Sequence, residues 1–264
     1  MRKIDLEELK TIQLSILDDI HAFCVENNLR YSLCGGTMLG AVRHKGYIPW
    51  DDDIDLMMPR SDYKRFCEIY QSNENELVDL SNVETCTEQF VKVCRKGTVM
   101  EDVHLHRKMW GINVDILPID GLPDDFSPYI SEIQHLHESV AKICPYYKVV
   151  GQNRLLWFLK YCLKRALFFS SKNVLQIKER LNDMAYNNLP ENSPLSTVIY
   201  GDFVVYPFPS HIFFDYEPIE FEGNTYPCIK DRHLYLSTVY KDYMTLPPKE
   251  KQVSHHLYDA YIID

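Results

Sequence analysis

The chain has 264 residues, 45% of them hydrophobic and 25% charged, and a formal net charge of -10. This length is enough for one large domain or two small ones with a substantial core. The acidic balance argues against a general nucleic-acid binder, because such proteins are usually basic, so we expect no nucleic-acid partner.

The N-terminus and the cysteines predict a cytoplasmic protein. The first ten residues lack the apolar core of a signal peptide, and no apolar run is long enough to span a bilayer. The eight cysteines are scattered and form no Cys-x-x-Cys pair, so we expect reduced, mostly buried thiols. A peripheral position at the cytoplasmic face of the membrane is left open beside this prediction.

Hydrophobic periodicity predicts alternating helices and strands in the first part of the chain. Apolar residues recur at helical spacing over 5–27, which indicates an amphipathic helix. A short strand is expected over 31–34, and a short helix from Thr37 onwards. A second strand is expected over 54–58, ending at Pro59.

The next segment predicts a helix over 62–70, with Ser61 as its N-cap. Alternation of apolar and polar residues over 90–95 indicates a strand. The polar residues 96–109 are predicted to form a loop, and 112–117 to form another strand.

The remaining pattern predicts a turn at 120–123, helices throughout 127–190, and a last helix over 231–243. We therefore divide the chain into a mixed α/β part (1–125), a helical region (126–200) and a C-terminal segment that packs back on the first part (201–264).

A basic stretch departs from the acidic average. Between Lys142 and Arg180 there are nine Lys and Arg residues and one Glu, interspersed with Leu, Trp and Phe. The simpler interpretation is a core helix with a solvated basic face. The alternative is a helix that lies on an anionic membrane, or a track for a phosphate-rich acceptor.

The strongest chemical signal is the acidic run Asp51, Asp52, Asp53 and Asp55. Close like charges raise each other's pKa, so the run needs open water or a hard cation. Mg²⁺ is bound by carboxylates together with substrate phosphates, which makes phosphate chemistry the first hypothesis.

The spacing within the run assigns different roles to its members. Alternate side chains of a strand share a face, so Asp53 and Asp55 can offer oxygens to one Mg²⁺ or to two neighbouring ions, while Ile54 points into the core. Asp51 and Asp52 precede the strand, and we expect the loop to expose at least one of them.

Two flanking segments suit a phosphate group. Gly35-Gly36-Thr37 opens a predicted helix, and a glycine-rich helix N-terminus attracts anions, although a tight turn is an equally good interpretation. Arg43, His44 and Lys45 could neutralise phosphate oxygens, with a solvated loop as the alternative.

Asp115 is a candidate third carboxylate. It lies in the apolar strand Val114-Asp115-Ile116, where an unpaired charge would be costly. A metal ion or a basic partner would explain it, and a structural salt bridge is the simpler alternative.

Rival acidic motifs fit less well. An EF-hand loop starting at Asp51 would need Gly and Glu where the chain has Leu56 and Asp62. A phosphatase-type Asp-x-Asp would follow an apolar strand, but Asp53 follows Pro49-Trp50-Asp51-Asp52. The Asp-x-Asp of metal-dependent glycosyltransferases, which use nucleotide sugars, remains an alternative.

The segment from Gly35 to Asp55 closely resembles the signature of the LicD family, and 58–63 continue it. Residues 114–121 resemble a second block of that family, and 240–248 with His255 resemble its C-terminal end. The resemblance spans nearly the whole chain, and the middle helical region is its least diagnostic part.

The resemblance implies an α+β, nucleotidyltransferase-like fold: a small mixed β-sheet flanked by helices, with an added helical region. It makes 1–125 the catalytic core and 126–200 the helical region on the acceptor side. It also implies transfer of phosphocholine, or a related phospho-alcohol, from a CDP-choline-like donor to a hydroxyl of a cell-surface glycan or lipid-linked glycan. Teichoic acid, lipopolysaccharide and capsule are the candidate acceptors, and a peripheral contact with the inner membrane face is left open. The fukutin-type ribitol-phosphate transferases are distantly similar.

By the same resemblance, Asp53 and Asp55 would bind Mg²⁺ or Mn²⁺, and Asp115 would be the third acid, as a metal ligand or a general base. These three are the predicted catalytic residues. Many tyrosines, with Trp110 or Trp157, could form an aromatic cage for the quaternary ammonium. The predicted substrate-binding residues are Gly35, Gly36, Thr37, Arg43, His44, Lys45 and Asp52.

Overall fold

A long strand in the middle of the chain organises the main sheet. The computed structural model describes residues 1–79, 81–82, 88–103, 108–143, 171–199, 205–253 and 258–263. Within these ranges the strands are β1 (Arg2–Lys3), β2 (Ser32–Leu33), β3 (Asp55–Pro59), β4 (Asn75–Val78), β5 (Val91–Arg95), β6 (Thr98–Asp102), β7 (Asn113–Leu122), β8 (Leu195–Val198), β9 (Phe208–Pro209), β10 (Tyr216–Phe221), β11 (Asn224–Ile229) and β12 (Tyr258–Ile262). The α-helices are α1 (Leu6–Asn27), α2 (Gly35–His44), α3 (Arg60–Ile69), α4 (Ser127–Ile143), α5 (Ser171–Asn187) and α6 (Arg232–Tyr240).

The main sheet is mixed and has the strand order β2-β3-β7-β5-β4. β3 runs parallel to β7, whereas β5 runs antiparallel to the first part of β7 and β8 antiparallel to its last part. β9 continues from β8. A small sheet of order β1-β12-β6 and the hairpin β10–β11 complete the strand pairs. β7 is therefore the strand on which the other elements of the sheet are registered.

The helices form where the sequence supplies apolar stripes and caps. At the start of α1, the Asp5 side chain accepts a hydrogen bond from the Glu8 amide at 2.9 Å, and Asn28 ends the helix in the left-handed conformation. Its inner face buries Ile16, Leu17 and other residues against the sheet.

Two apolar cores lie on this framework. The larger includes the sheet, α1, α2 and the C-terminal hairpin, with Leu33, Leu56, Ile116, Phe221 and Tyr235 essentially inaccessible to solvent. The smaller lies between α4, α5 and the end of β7, around Leu136 and Ile177. The predicted α+β class, a mixed sheet with flanking helices, is confirmed. The three domain boundaries stay predictions.

Two local predictions of this segment were wrong because tertiary packing decided the outcome. Residues 96–109, predicted as a loop, contain β6, which pairs with the distant β12. The turn predicted at 120–123 is instead the end of β7, where a Cβ on Gly121 would lie 2.3 Å from the Asn188 carbonyl oxygen. This glycine therefore serves close packing, not a turn.

Ser61 is not the N-cap of α3. The helix begins at Arg60, two residues before the predicted start at 62, and the Ser61 hydroxyl donates to Glu191 at 2.7 Å. The helices α4 and α5 lie within the predicted helical region 127–190. Most of the basic stretch, together with Trp157 and His255, lies outside the described residues. Among the described helices, none is long and apolar enough to cross a membrane.

Candidate functional site

Three charged residues form a row across the central strands. Asp55 on β3 is the direct register partner of Asp115 on β7, and Lys92 on β5 faces Asp115 from the other side. Side chains of register partners project from the same face of a sheet. The strand pairing therefore brings together two acids predicted from distant parts of the sequence and one lysine that the sequence did not predict.

Asp53 lies immediately before this row, in the loop that leads into β3. Ile54 and Leu56 are buried in the core, and the alternate residues Asp53 and Asp55 are half-buried, which is the alternation the sequence predicted. Asp52 is buried at 8% exposure, and its carbonyl accepts a hydrogen bond from the Gln13 side chain at 2.9 Å. With Asp51 half-buried, the expectation that the loop exposes one of these two acids was wrong.

The acids act on each other electrostatically. Burial raises the pKa of the Asp55 carboxyl well above its usual range, and the charges of Asp53, Asp115 and Asp51 raise it further. Lys92 opposes this effect. Burial also raises the pKa of Asp115, although Lys92 and Asn113 counteract it. The carboxyls where β3 and β7 begin therefore oppose each other's ionisation.

The Gly-Gly-Thr turn is linked to the backbone of Asp55 by the Thr37 side chain. The Asp55 amide donates to the Thr37 hydroxyl at 2.9 Å, and the Gly35 amide donates to the Tyr235 hydroxyl at 3.3 Å. A Cβ on Gly36 would lie only 2.8 Å from Asp51 Oδ2. Gly36 thus lets a carboxylate approach the N-terminus of α2, where a helix attracts anions.

Arg43, His44 and Lys45 lie at the opposite end of α2, about 12 Å from Gly36 at 1.5 Å per residue. Arg43 donates to the Tyr243 carbonyl and to the His44 ring, each at 2.9 Å. Burial and the Arg43 charge lower the pKa of His44. The structure does not bring these three basic residues to the glycine end of the helix.

Lys45 ends α2 in the left-handed conformation, and its largely exposed ammonium group pairs with Glu220 at 3.1 Å. The pair joins the end of α2 to the hairpin β10–β11. A role for Lys45 in phosphate binding stays a prediction.

Lys92 is the main residue that sequence reasoning missed. Its ammonium donates to both Asp115 oxygens, at 2.9 and 2.7 Å, and its side chain is 6% exposed. The nitrogen lies 4.9 Å from the ring centroid of Phe90 and 4.8 Å from that of Trp110. The available signal was a lysine between Val91 and Val93, in a strand that is buried on both faces.

Asn113 and two tyrosines were also missed. Asn113 donates its amide to Asp115 Oδ1 at 2.5 Å and accepts a hydrogen bond from the Trp110 indole at 3.1 Å. Burial raises the pKa of the Tyr240 and Tyr258 phenols, and the carboxylates of the acidic loop raise it further. Both tyrosines therefore border the acids. The ring of Trp110, a predicted cage residue, covers Lys92.

The donor set suits a hard divalent cation, although it is not closed into a coordination shell. Within the described part of the chain, no group of three or more His, Cys, Asp or Glu side chains has the arrangement of a metal site. The carboxylate oxygens of Asp53 and Asp55 are nevertheless the ligands that Mg²⁺ and Mn²⁺ prefer. Their mutual repulsion would be relieved by such an ion.

Comparison with known proteins gives a match over the whole chain. A family model described as LicD/FKTN/FKRP, nucleotidyltransferase domain, matches residues 28–140. Lipopolysaccharide cholinephosphotransferase LicD of Haemophilus influenzae is 30% identical over 273 aligned residues, which cover 100% of both chains. An uncharacterized protein of Rickettsia prowazekii is 30% identical over 48% of this chain and 46% of its own length. The full-length similarity, with the family model on the segment that carries the acids, shows that the chain belongs to the LicD family.

Proposed function

We propose that this protein transfers phosphocholine from a CDP-linked donor to a hydroxyl of lipopolysaccharide or a related cell-surface glycan. The observation that carries the proposal is the full-length similarity to a lipopolysaccharide cholinephosphotransferase. The row of acids supports it, because phosphoryl transfer depends mainly on positioning and on stabilising charge.

In this proposal Asp53 and Asp55 hold one Mg²⁺ or Mn²⁺ ion. When bound, such an ion supplies positive charge that neutralises diphosphate oxygens. Thr37 fixes the Asp55 backbone, and Gln13 fixes the Asp52 backbone, so both ends of the acidic loop are anchored. The chain's own contribution is to keep these oxygens in place before the donor arrives.

The proposed reaction is one displacement at phosphorus. The acceptor hydroxyl oxygen forms a bond to the phosphorus that carries choline, the bond from that phosphorus to the CMP oxygen breaks, and the hydroxyl proton is released. The leaving group is CMP. The basic residues Arg43, His44 and Lys45 remain candidates for contact with the donor phosphates. The turn formed by Gly35, Gly36 and Thr37 is a second candidate for that contact.

A donor panel tests the proposal. The purified protein is incubated with lipopolysaccharide, Mg²⁺ and either CDP-choline, CDP-ribitol or UDP-glucose, and the release of CMP or UDP is measured with incorporation into the glycan. We expect CMP release matched by choline incorporation, and loss of both in EDTA. Turnover of the UDP-sugar instead would identify a glycosyltransferase, and full activity in EDTA would refute the cation.

The acceptor is tested separately with the donor held constant. Lipopolysaccharide, teichoic acid and capsular polysaccharide are each offered with CDP-choline, and labelled choline in the glycan is counted. We expect the highest incorporation with lipopolysaccharide, as the name of the full-length relative suggests. Incorporation into teichoic acid alone would reassign the acceptor.

A further inference from the structure

The chain itself supplies hydrogen-bond donors to both oxygens of Asp115. Lys92 contacts Oδ1 at 2.9 Å and Oδ2 at 2.7 Å, and Asn113 contacts Oδ1 at 2.5 Å. A metal ligand must offer lone pairs to the ion, and three of the roughly four lone-pair sites of the Asp115 carboxylate are directed to these donors. Asp115 therefore looks less available to a cation than its register partner Asp55.

The contacts that hold Lys92 form a closed circuit. Lys92 binds Asp115, Asp115 accepts from Asn113, Asn113 accepts from the Trp110 indole, and the Trp110 ring covers the Lys92 ammonium. Phe90 supplies a second ring at 4.9 Å. Moving Lys92 away would break several contacts at once. The network therefore fixes the position of the Lys92 ammonium in the site.

The charge of Lys92 also acts on the remaining acids. Asp51, Asp53 and Asp115 all raise the pKa of Asp55, and Lys92 lowers it. Four neighbouring carboxylates with no internal cation would suit two divalent ions, as in two-metal sites. A fixed ammonium at the Asp115 end supplies positive charge where a second ion would bind.

We propose that Lys92 is a positioning residue that keeps Asp115 out of the coordination shell, so that the site takes a single divalent cation, at Asp53 and Asp55. The inference rests on the proposed function for the presence of that cation. The Lys92 ammonium supplies the positive charge that a second ion would otherwise supply. Asp115 acts through Lys92, because it holds this ammonium beside the donor site.

Mn²⁺ binding to the metal-free protein tests this inference, by calorimetry and by electron paramagnetic resonance, without donor or acceptor. We expect one Mn²⁺ per wild-type chain. Lys92→Met removes the opposing charge and releases Asp115, so Mn²⁺ should bind at least about tenfold more tightly, with a second ion at higher concentration. Lys96→Met, at an exposed lysine one residue beyond β5, is the matched control and should bind like wild type.

The double variant Lys92→Met/Asp115→Asn separates a ligand from a positioned charge. It removes a pair with no net charge, and replacing both partners avoids leaving an unpaired buried ion. We expect Mn²⁺ affinity within about threefold of wild type, a margin set by context-dependent electrostatics, whereas Asp53→Asn should lose binding. Unfolding by urea checks that each variant is folded, and the double variant keeps the test decisive if Lys92→Met is unstable.

Three outcomes would overturn the inference: two Mn²⁺ ions per wild-type chain, loss of Mn²⁺ binding in the double variant as in Asp53→Asn, or unchanged affinity in folded Lys92→Met. The second outcome would make Asp115 a metal ligand. Because no donor is present, these results are independent of the donor panel. A protein that binds one Mn²⁺ as expected but does not transfer choline would refute the proposed function and leave the assignment of Lys92 standing.

Discussion

The two ends of β7 each carry an aspartate paired with a basic residue, yet the two pairs have different surroundings. Asp120 is 1% exposed, and its carboxylate accepts two hydrogen bonds from Arg60, at 2.5 and 2.8 Å, and one from the Tyr129 hydroxyl at 2.7 Å. The Asp115–Lys92 pair, in contrast, lies beside further carboxylates and interacts with them electrostatically. A buried ion pair thus joins structural elements at one end and belongs to the candidate site at the other.

The basic partners show the same difference. Burial would lower the pKa of Arg60, but its attraction to Asp120 and its hydrogen bonds to that carboxylate outweigh burial and raise the pKa. Arg60 also lies over the rings of Tyr63 and Tyr186 and donates to Asn182 on α5. It therefore joins α3 and β7 to the helical region, whereas Lys92 serves the acids.

The largest expected effect is at the structural end. Asp120→Asn leaves the Arg60 charge buried without its counter-ion and should lower the free energy of unfolding by about 3–5 kcal/mol. Urea denaturation measures this, and transfer activity per folded molecule should be unchanged. Glu68→Gln, in the exposed Lys64–Glu68 pair, is the control and should cost less than about 0.5 kcal/mol. Equal costs in the two variants would remove the distinction between the ends.

At the end of β7 that carries Asp115, a substitution in the acids should lower transfer activity and not stability. Asp55→Asn preserves the backbone bonds to Thr37 and Cys34 but removes a proposed cation ligand, so transfer should fall at least about 100-fold. The free energy of unfolding should not fall, because a repelled charge is removed. Asp259→Asn, in the surface pair with Lys3, is the matched substitution and should be silent. Activity within twofold of wild type for Asp55→Asn would refute the cation assignment.

Two glycines of α2 sharpen the comparison on a smaller scale. Gly36→Ala should displace Asp51 and reduce transfer roughly tenfold, with a stability change below about 1 kcal/mol, since alanine favours helix.

Gly40→Ala is its counterpart, because the added Cβ would lie 2.4 Å from the Gly46 carbonyl oxygen, which is backbone and yields little. It should cost about 1–3 kcal/mol of stability. Thermal unfolding and transfer assays on both variants check this, and reversed effects would contradict the assigned roles.

The smallest effect is a pH dependence near the structural end. Burial would raise the pKa of Glu191, but hydrogen bonds from Ser61 and Arg30 outweigh it and lower the pKa. A lowered pKa means stability that is present above the unfolded pKa, about 4.3, and lost as pH falls through the folded pKa.

Glu191→Gln should therefore be less stable than wild type at about pH 7, by less than about 1 kcal/mol, and the difference should shrink as the pH falls below the unfolded pKa. Urea denaturation across this range measures it. A difference that grew as the pH fell would contradict the direction of the shift.

The sequence predicted the local part of this picture better than the distant part. The strand alternation around Ile54 and the acids at 53, 55 and 115 follow from period-two patterning, which a sequence displays directly. The face of Lys92 depends on the pairing of β5 with β7, and β6 exists because it pairs with β12, over 150 residues away. Such pairings are decided by packing, which propensity does not contain.

The prediction for Asp115 shows how far the local sequence pattern could predict the site. Burial in an apolar strand indicated that this carboxylate needs a partner, and the structure supplies Lys92 as the basic one of the two alternatives. Arg43 and Lys45 lie between two motifs in the sequence, but α2 carries them to its far end, about 12 Å from Gly36 at 1.5 Å per residue. Proximity in sequence did not mean proximity to the glycine turn.

Because β7 is a regular strand, the number of residues in it decides the face to which each of its two aspartates projects. Asp120 lies five positions after Asp115, an odd offset, so the two carboxylates project from opposite faces of the sheet, one to the acids and the other to the helical region. Between them, 116–119 could accept apolar replacements of similar volume. Deleting or inserting one residue there would turn one carboxylate to the wrong face, so this short segment should tolerate a change of side chain far better than a change of length.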